Sequence, residues 1–130
     1  MSNQEPKFYE CDSCKIIVEK ICGNRDTFEC CDIPMKEMAA NSTEGATEKH
    51  LPVVEKNGNH ITVKVGSVFH PMTSEHSIEW VYLQTKNGAQ RINLKPDQEP
   101  VAEFILSDTD EAVAAYAYCN LHGFWKTDIE

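Results

Sequence analysis

The stretch Asn57-Gly58-Asn59-His60-Ile61-Thr62-Val63-Lys64-Val65 reads as a tight turn running into a strand. Asn57-Gly58 is the pair that two-residue hairpin turns prefer, and Ile61, Val63 and Val65 alternate with polar residues at the period of a half-buried sheet. The same pattern extends on both sides, through Leu51 to Glu55, Ile78 to Gln84, Arg91 to Leu94, Val101 to Leu106 and Val113 to Cys119. Further turn signals stand at Asn87-Gly88 and Lys95-Pro96-Asp97. Short strands punctuated in this way predict an antiparallel β-sandwich of about seven strands, immunoglobulin-like in outline. No stretch has the periodicity of a long amphipathic helix, and there is no internal repeat.

The residues before Met38 are of another kind. They hold Cys11, Cys14, Cys22, Cys30 and Cys31 but too few large apolar side chains for a core, so something must staple them. Ala39 to Ala46, small and polar, has the composition of a linker or exposed loop. The expected organisation is all-β, with a small metal-bound domain over 1–38 and a sandwich domain over 39–130.

Composition removes several classes of function. A net charge of −9 argues against nucleic acid and anionic membranes, which are bound through clustered Lys and Arg. The longest apolar run, Ala112 to Cys119, is far short of the roughly 20 residues of a spanning helix. MSNQEPKFYE has neither the basic nor the apolar region of an export signal, so the expected compartment is the cytoplasm, where thiols stay reduced.

Reduced cysteines at this spacing suit a metal better than a disulfide framework. Cys11-x-x-Cys14 places two thiolates on one ion, and Cys30 with Cys31 completes a four-sulfur shell for iron or zinc. Side chains of adjacent residues diverge, so the backbone at Cys30-Cys31 has to bend if both reach the same ion. Cys22 is left over and reads as a small, partly buried apolar residue.

A second constellation is more dispersed. Cys119 and His122 are close in sequence, His70 and His76 fall on expected loops at an end of the sandwich, and His50 begins an expected strand. One ion could gather several of them. His60, in the hairpin turn, reads as a solvated imidazole.

The strings Glu48-Lys49-His50-Leu51-Pro52-Val53, Val68-Phe69-His70-Pro71-Met72, Glu75-His76-Ser77-Ile78-Glu79-Trp80 and Tyr118-Cys119-Asn120-Leu121-His122-Gly123 closely resemble the iron-binding segments of superoxide reductases. With the amino-terminal thiols, the chain from about Tyr9 to Lys126 resembles the two-iron class, the desulfoferrodoxins. The resemblance implies a desulforedoxin-like first domain whose Cys11, Cys14, Cys30 and Cys31 bind one ferric ion. It also implies a β-sandwich in which His50, His70, His76 and His122 are equatorial ligands, and Cys119 the axial ligand, of a second iron that cycles between ferrous and ferric. Members usually carry glycine directly after Cys-x-x-Cys; this chain has Lys15, a departure that touches the geometry and potential of the first centre.

The implied reaction reduces superoxide by one electron and two protons to hydrogen peroxide without releasing oxygen. Its ligands suit it. Four neutral imidazoles leave the charge of Fe²⁺ intact, and a thiolate pushes electron density towards a small anion bound opposite, as axial cysteine does in haem oxygenases. Beside His50, Lys49 would draw the anionic substrate in, and Glu48 would take the open position once oxidation raises the charge on iron, helping to expel product. An electron-transfer or iron-storage protein, a superoxide dismutase and a structural zinc protein are the competing readings. By resemblance the electron donor is of the rubredoxin type, and the chain forms a homodimer through its small first domain.

Overall fold

The computed structural model describes residues 5–129. They form two compact units, one ending at Ala39 and the other running from Ala40. Among the described residues the regular secondary structure is almost entirely strand.

In the first unit, β1 (Lys7–Glu10) pairs antiparallel with β2 (Ile17–Lys20), and a second short hairpin joins β3 (Glu29–Cys30) to β4 (Ile33–Pro34). β5 (Lys36–Glu37) closes the other edge of β1. Phe8, Tyr9 and Cys11 are its buried apolar residues, with Tyr9 edge-on to Phe28 at 4.5 Å. So thin a core agrees with the need for a staple. The β3–β4 register, Cys30 opposite Ile33, leaves Cys31 and Asp32 as a two-residue loop with φ of 55° and 60°. Positive φ at both central residues is the type I′ hairpin, and it supplies the bend that adjacent cysteines require.

The second unit opens with α1 (Thr47–His50), a single helical turn, followed by β6 (Pro52–Asn57) and β7 (His60–Val65). β8 (Ile78–Thr85), β9 (Ala89–Asn93), β10 (Val101–Ile105), β11 (Ala112–Cys119) and β12 (Gly123–Asp128) complete it. One sheet has the order β10-β7-β6 and the other β12-β11-β8-β9. Ile61, Val63 and Val65 face inward from β7, where they meet Val81 and Leu83 of β8, Ala102 and Phe104 of β10, and Ala115, Ala117 and Cys119 of β11. At roughly 25 cal/mol per Å² of apolar surface removed from water, these interdigitating faces are the main force holding the sandwich.

Three sequence expectations shift. Asn57 pairs with His60, so the β6–β7 turn is centred on Gly58-Asn59, with Gly58 at φ 62°, one residue beyond the expected pair. Its left-handed backbone is the conformation glycine adopts without penalty. Cys22 is exposed, not partly buried. Of the two readings of the small, polar stretch, the exposed loop fits and the free linker does not: residues 41–46 are exposed, yet Asn41 donates its side-chain N–H to the Lys126 carbonyl and accepts from the Lys126 N–H.

Candidate metal centres

The Sγ atoms of Cys11, Cys14, Cys30 and Cys31 all lie within 4.8 Å of one another. Cys14 to Cys30 is 3.6 Å and Cys30 to Cys31 is 3.9 Å. Four sulfurs around one ion at the roughly 2.3 Å of a metal–thiolate bond stand about 3.8 Å apart, so the group has the size of a tetrahedral shell. Lys15 occupies the left-handed region with φ 66°, its N–H donating to the Cys11 carbonyl at 2.9 Å, and the Cys11 N–H donates to the Ile16 carbonyl. The knuckle therefore takes the glycine-like conformation without the glycine. The backbone N–H of Cys14 is the main influence drawing the Cys11 thiol down to about 7. Hydrogen bonding with Cys14 is the main influence pushing Cys30 up to about 12. Four thiols cannot all ionise together without a cation, and a bound cation removes that obstacle.

In the second unit, one nitrogen each of His50, His70 and His76 and the sulfur of Cys119 lie within 4.8 Å of one another. His50 ends α1, His70 lies on the loop after β7, His76 lies just before β8 and Cys119 ends β11, so four separate segments converge at one end of the sandwich. His122 stands beside the group, its ring centroid 4.9 Å from that of His50 and 5.1 Å from that of His76. His60 stands apart, paired with Glu103 at 2.8 Å.

Ring orientation is fixed largely by the main chain. Nδ1 of His50 donates to the Ala46 carbonyl at 2.8 Å, that of His70 to the Pro71 carbonyl at 2.7 Å and that of His122 to the Glu44 carbonyl at 2.9 Å. A carbonyl only accepts, so each Nδ1 carries the proton and each Nε2 of the neutral ring is left with a lone pair. The Nε2 atoms of His50 and His70 face each other at 3.1 Å. Two opposed lone pairs repel, and a cation between them turns repulsion into ligation. Nε2 of His76 is buried and has no hydrogen-bond partner among the described residues. These observations, with a thiol in the set, fit an iron-type ligand group.

The electrostatics agree. Burial is the chief reason that His50 and His76 titrate below their ordinary range and that His70 falls to about 4, which keeps all three neutral near pH 7. Burial raises the Cys119 thiol, opposed by the Leu121 and His122 N–H groups; the latter lies 3.4 Å from the sulfur. Lys49, half-buried on α1, is close enough for its charge to lower both His50 and His76, while Glu48 is exposed.

The carbonyls on Glu44 and Ala46 were not legible beforehand, since a main-chain acceptor has no side-chain signal. Trp125 was also missed. It stacks on His50 at 4.9 Å and donates its indole N–H to the His122 carbonyl at 3.1 Å, a carbonyl that also accepts from the Thr43 hydroxyl.

Residues 42–128, which hold this whole second group, match the family model described as Desulfoferrodoxin. The chain belongs to the desulfoferrodoxin family. The Desulfoferrodoxin homolog of Archaeoglobus fulgidus is 46% identical over 120 residues, 92% of this chain and 94% of that protein. The Desulfoferrodoxin of Nitratidesulfovibrio vulgaris is 43% identical over 128 residues, 98% of this chain and 99% of its own. Among solved structures, the superoxide reductase from Treponema pallidum is similar with a TM-score of 0.81 at 36% identity, covering 96% of this chain and 100% of that one. The desulfoferrodoxin fold and its two iron-type ligand groups are thus both present in the chain.

Proposed function

We propose that this desulfoferrodoxin is a superoxide reductase, converting superoxide to hydrogen peroxide without forming oxygen. The observation that carries the reading is the convergence of His50, His70, His76 and Cys119 in a chain similar to the superoxide reductase from Treponema pallidum. His122 is proposed as the fourth imidazole, and Glu48 and Lys49 as the residues that handle substrate and product. These five residues would hold an iron that would supply the single electron, and Cys11, Cys14, Cys30 and Cys31 would hold a second iron.

The chain's own residues set the conditions. Carbonyls 44, 46 and 71 hold three imidazoles in the tautomer that offers Nε2. Burial keeps His50, His70 and His76 neutral, so each ring retains a nitrogen lone pair. The Lys49 ammonium provides local positive charge on a chain of net charge −9, drawing in an anion that the molecule as a whole repels. Glu48, exposed on the same turn, would offer a carboxylate that favours release of the product anion.

The external donor is proposed to be a rubredoxin-type protein, the assembly a homodimer and the compartment the cytoplasm. The test is the yield of peroxide and oxygen per superoxide consumed by iron-loaded protein with excess donor. One peroxide per superoxide and no enzyme-dependent oxygen is the expected result; one peroxide per two superoxides, with oxygen, would mean dismutation or no catalysis.

A further inference from the structure

His70, His50 and His122 each anchor their ring through an Nδ1–H bond to the main chain. His76 has no such anchor. Among the described residues its ring makes no hydrogen bond, and its Nε2 is buried without a partner. The aim of this imidazole therefore has to come from its backbone.

That backbone is bracketed by one side chain. Asn120, immediately after Cys119, accepts the Ser77 N–H on Oδ1 at 3.0 Å and donates from Nδ2 to the Glu75 carbonyl at 2.8 Å. Its own N–H donates to the Ser77 carbonyl at 3.3 Å. The residues on both sides of His76 are thus tied to the residue that follows the ligand sulfur. Thr73 closes the loop from the other direction, its hydroxyl accepting from the His76 N–H at 3.1 Å and its N–H donating to the His76 carbonyl at 3.0 Å.

We infer that Asn120 is a positioning residue that sets the His76 imidazole relative to the Cys119 sulfur, making the thiolate and this one histidine a single mechanical unit. An amide suits the role because only a side chain with both a donor and an acceptor can hold a carbonyl and an N–H two residues apart. The inference rests on reading the group as the iron site and adds to it a residue that acts through another.

The test uses the full chain, with iron(II) affinity measured by chelator competition and the thiolate-to-iron(III) absorption band recorded for the parent, Asn120→Ala and Asn120→Asp. Asn120→Ala is expected to weaken iron binding in the sandwich at least about tenfold, the scale on which outer partners of metal ligands act, and to shift the band. The four-cysteine centre, in the other unit, should keep its iron and its spectrum. Asn120→Asp retains the acceptor for Ser77 but opposes a carboxylate oxygen to the Glu75 carbonyl, so it should also lose affinity; it carries the same reading should Asn120→Ala fail to fold. Parent-like affinity and band position in either folded variant would overturn the inference, even if the metal-free protein were less stable, because Asn120 would then be a structural clamp only. A parent that takes up no iron in this unit would overturn the metal reading itself.

Discussion

A Cβ placed on Gly66 would lie 2.6 Å from the carbonyl oxygen of Glu48 and 2.9 Å from that of Leu51. The Glu48 carbonyl is itself held there, accepting from the Val68 N–H at 3.0 Å and the Ser67 hydroxyl at 3.2 Å. The turn bearing Glu48, Lys49 and His50 is therefore seated directly on the backbone that leads to His70.

Gly66→Ala should unseat that turn. Backbone oxygens at both contacts cannot rotate away as a side chain can, so the overpacking is expected at the upper end of the usual range of about 1–3 kcal/mol. Thermal unfolding of the metal-free protein would measure it, and chelator competition should show weaker iron binding in the sandwich. An unchanged midpoint would mean that the turn accommodates the methyl group.

Acid should destabilise the metal-free sandwich. His70 is held to about 4 by burial, and His50 and His76 are also lowered, against an ordinary 6.5. Above 6.5 neither the folded nor the unfolded chain binds these protons. As pH falls from there towards 4, the unfolded chain takes up protons that the folded one refuses, and stability declines until the folded His70 titrates too. Urea midpoints of chelator-treated protein should be lower at pH 5 than at pH 7; equal midpoints would show that the imidazoles are solvated.

At the four-cysteine group, Lys15 holds φ 66°. A non-glycine residue there carries a left-handed penalty of about 1–2 kcal/mol, partly offset in the comparison by the greater chain entropy that glycine loses on folding. Lys15→Gly should leave stability equal or raised by about 1 kcal/mol, whereas β-branched Lys15→Val should lower it. Lys15→Gln, which removes only the charge, should lower the reduction potential of the bound iron, measured by a redox titration of its visible absorption.

Lys49→Ala should retain iron yet react with superoxide about tenfold more slowly at low ionic strength, the lower end of what steering provides. The deficit should shrink as salt screens the parent. Pulse radiolysis over a range of ionic strength would separate this from a ligand defect, which salt would not repair.

Alternation at Ile61, Val63 and Val65 was enough to indicate a sandwich, because burial on one face writes itself directly into residue type. The thiols and histidines were legible for a similar reason: few side chains ligate metals, so their spacing carries information. The Gly58-Asn59 turn register was not, since one residue either way leaves the same composition. Residues 39–46 were read as a linker or exposed loop because small, polar residues serve a free loop and a strap of accepting carbonyls equally well. Trp125 sat in a strand where an aromatic residue needs no special reason.

Glu44, Ala46 and Pro71 hold their histidines through the main chain alone. None of their side chains takes part in these bonds, so what orients the rings is the path of the backbone and not the identity of the three residues. A substitution there that keeps the path should leave the same imidazole tautomers on offer.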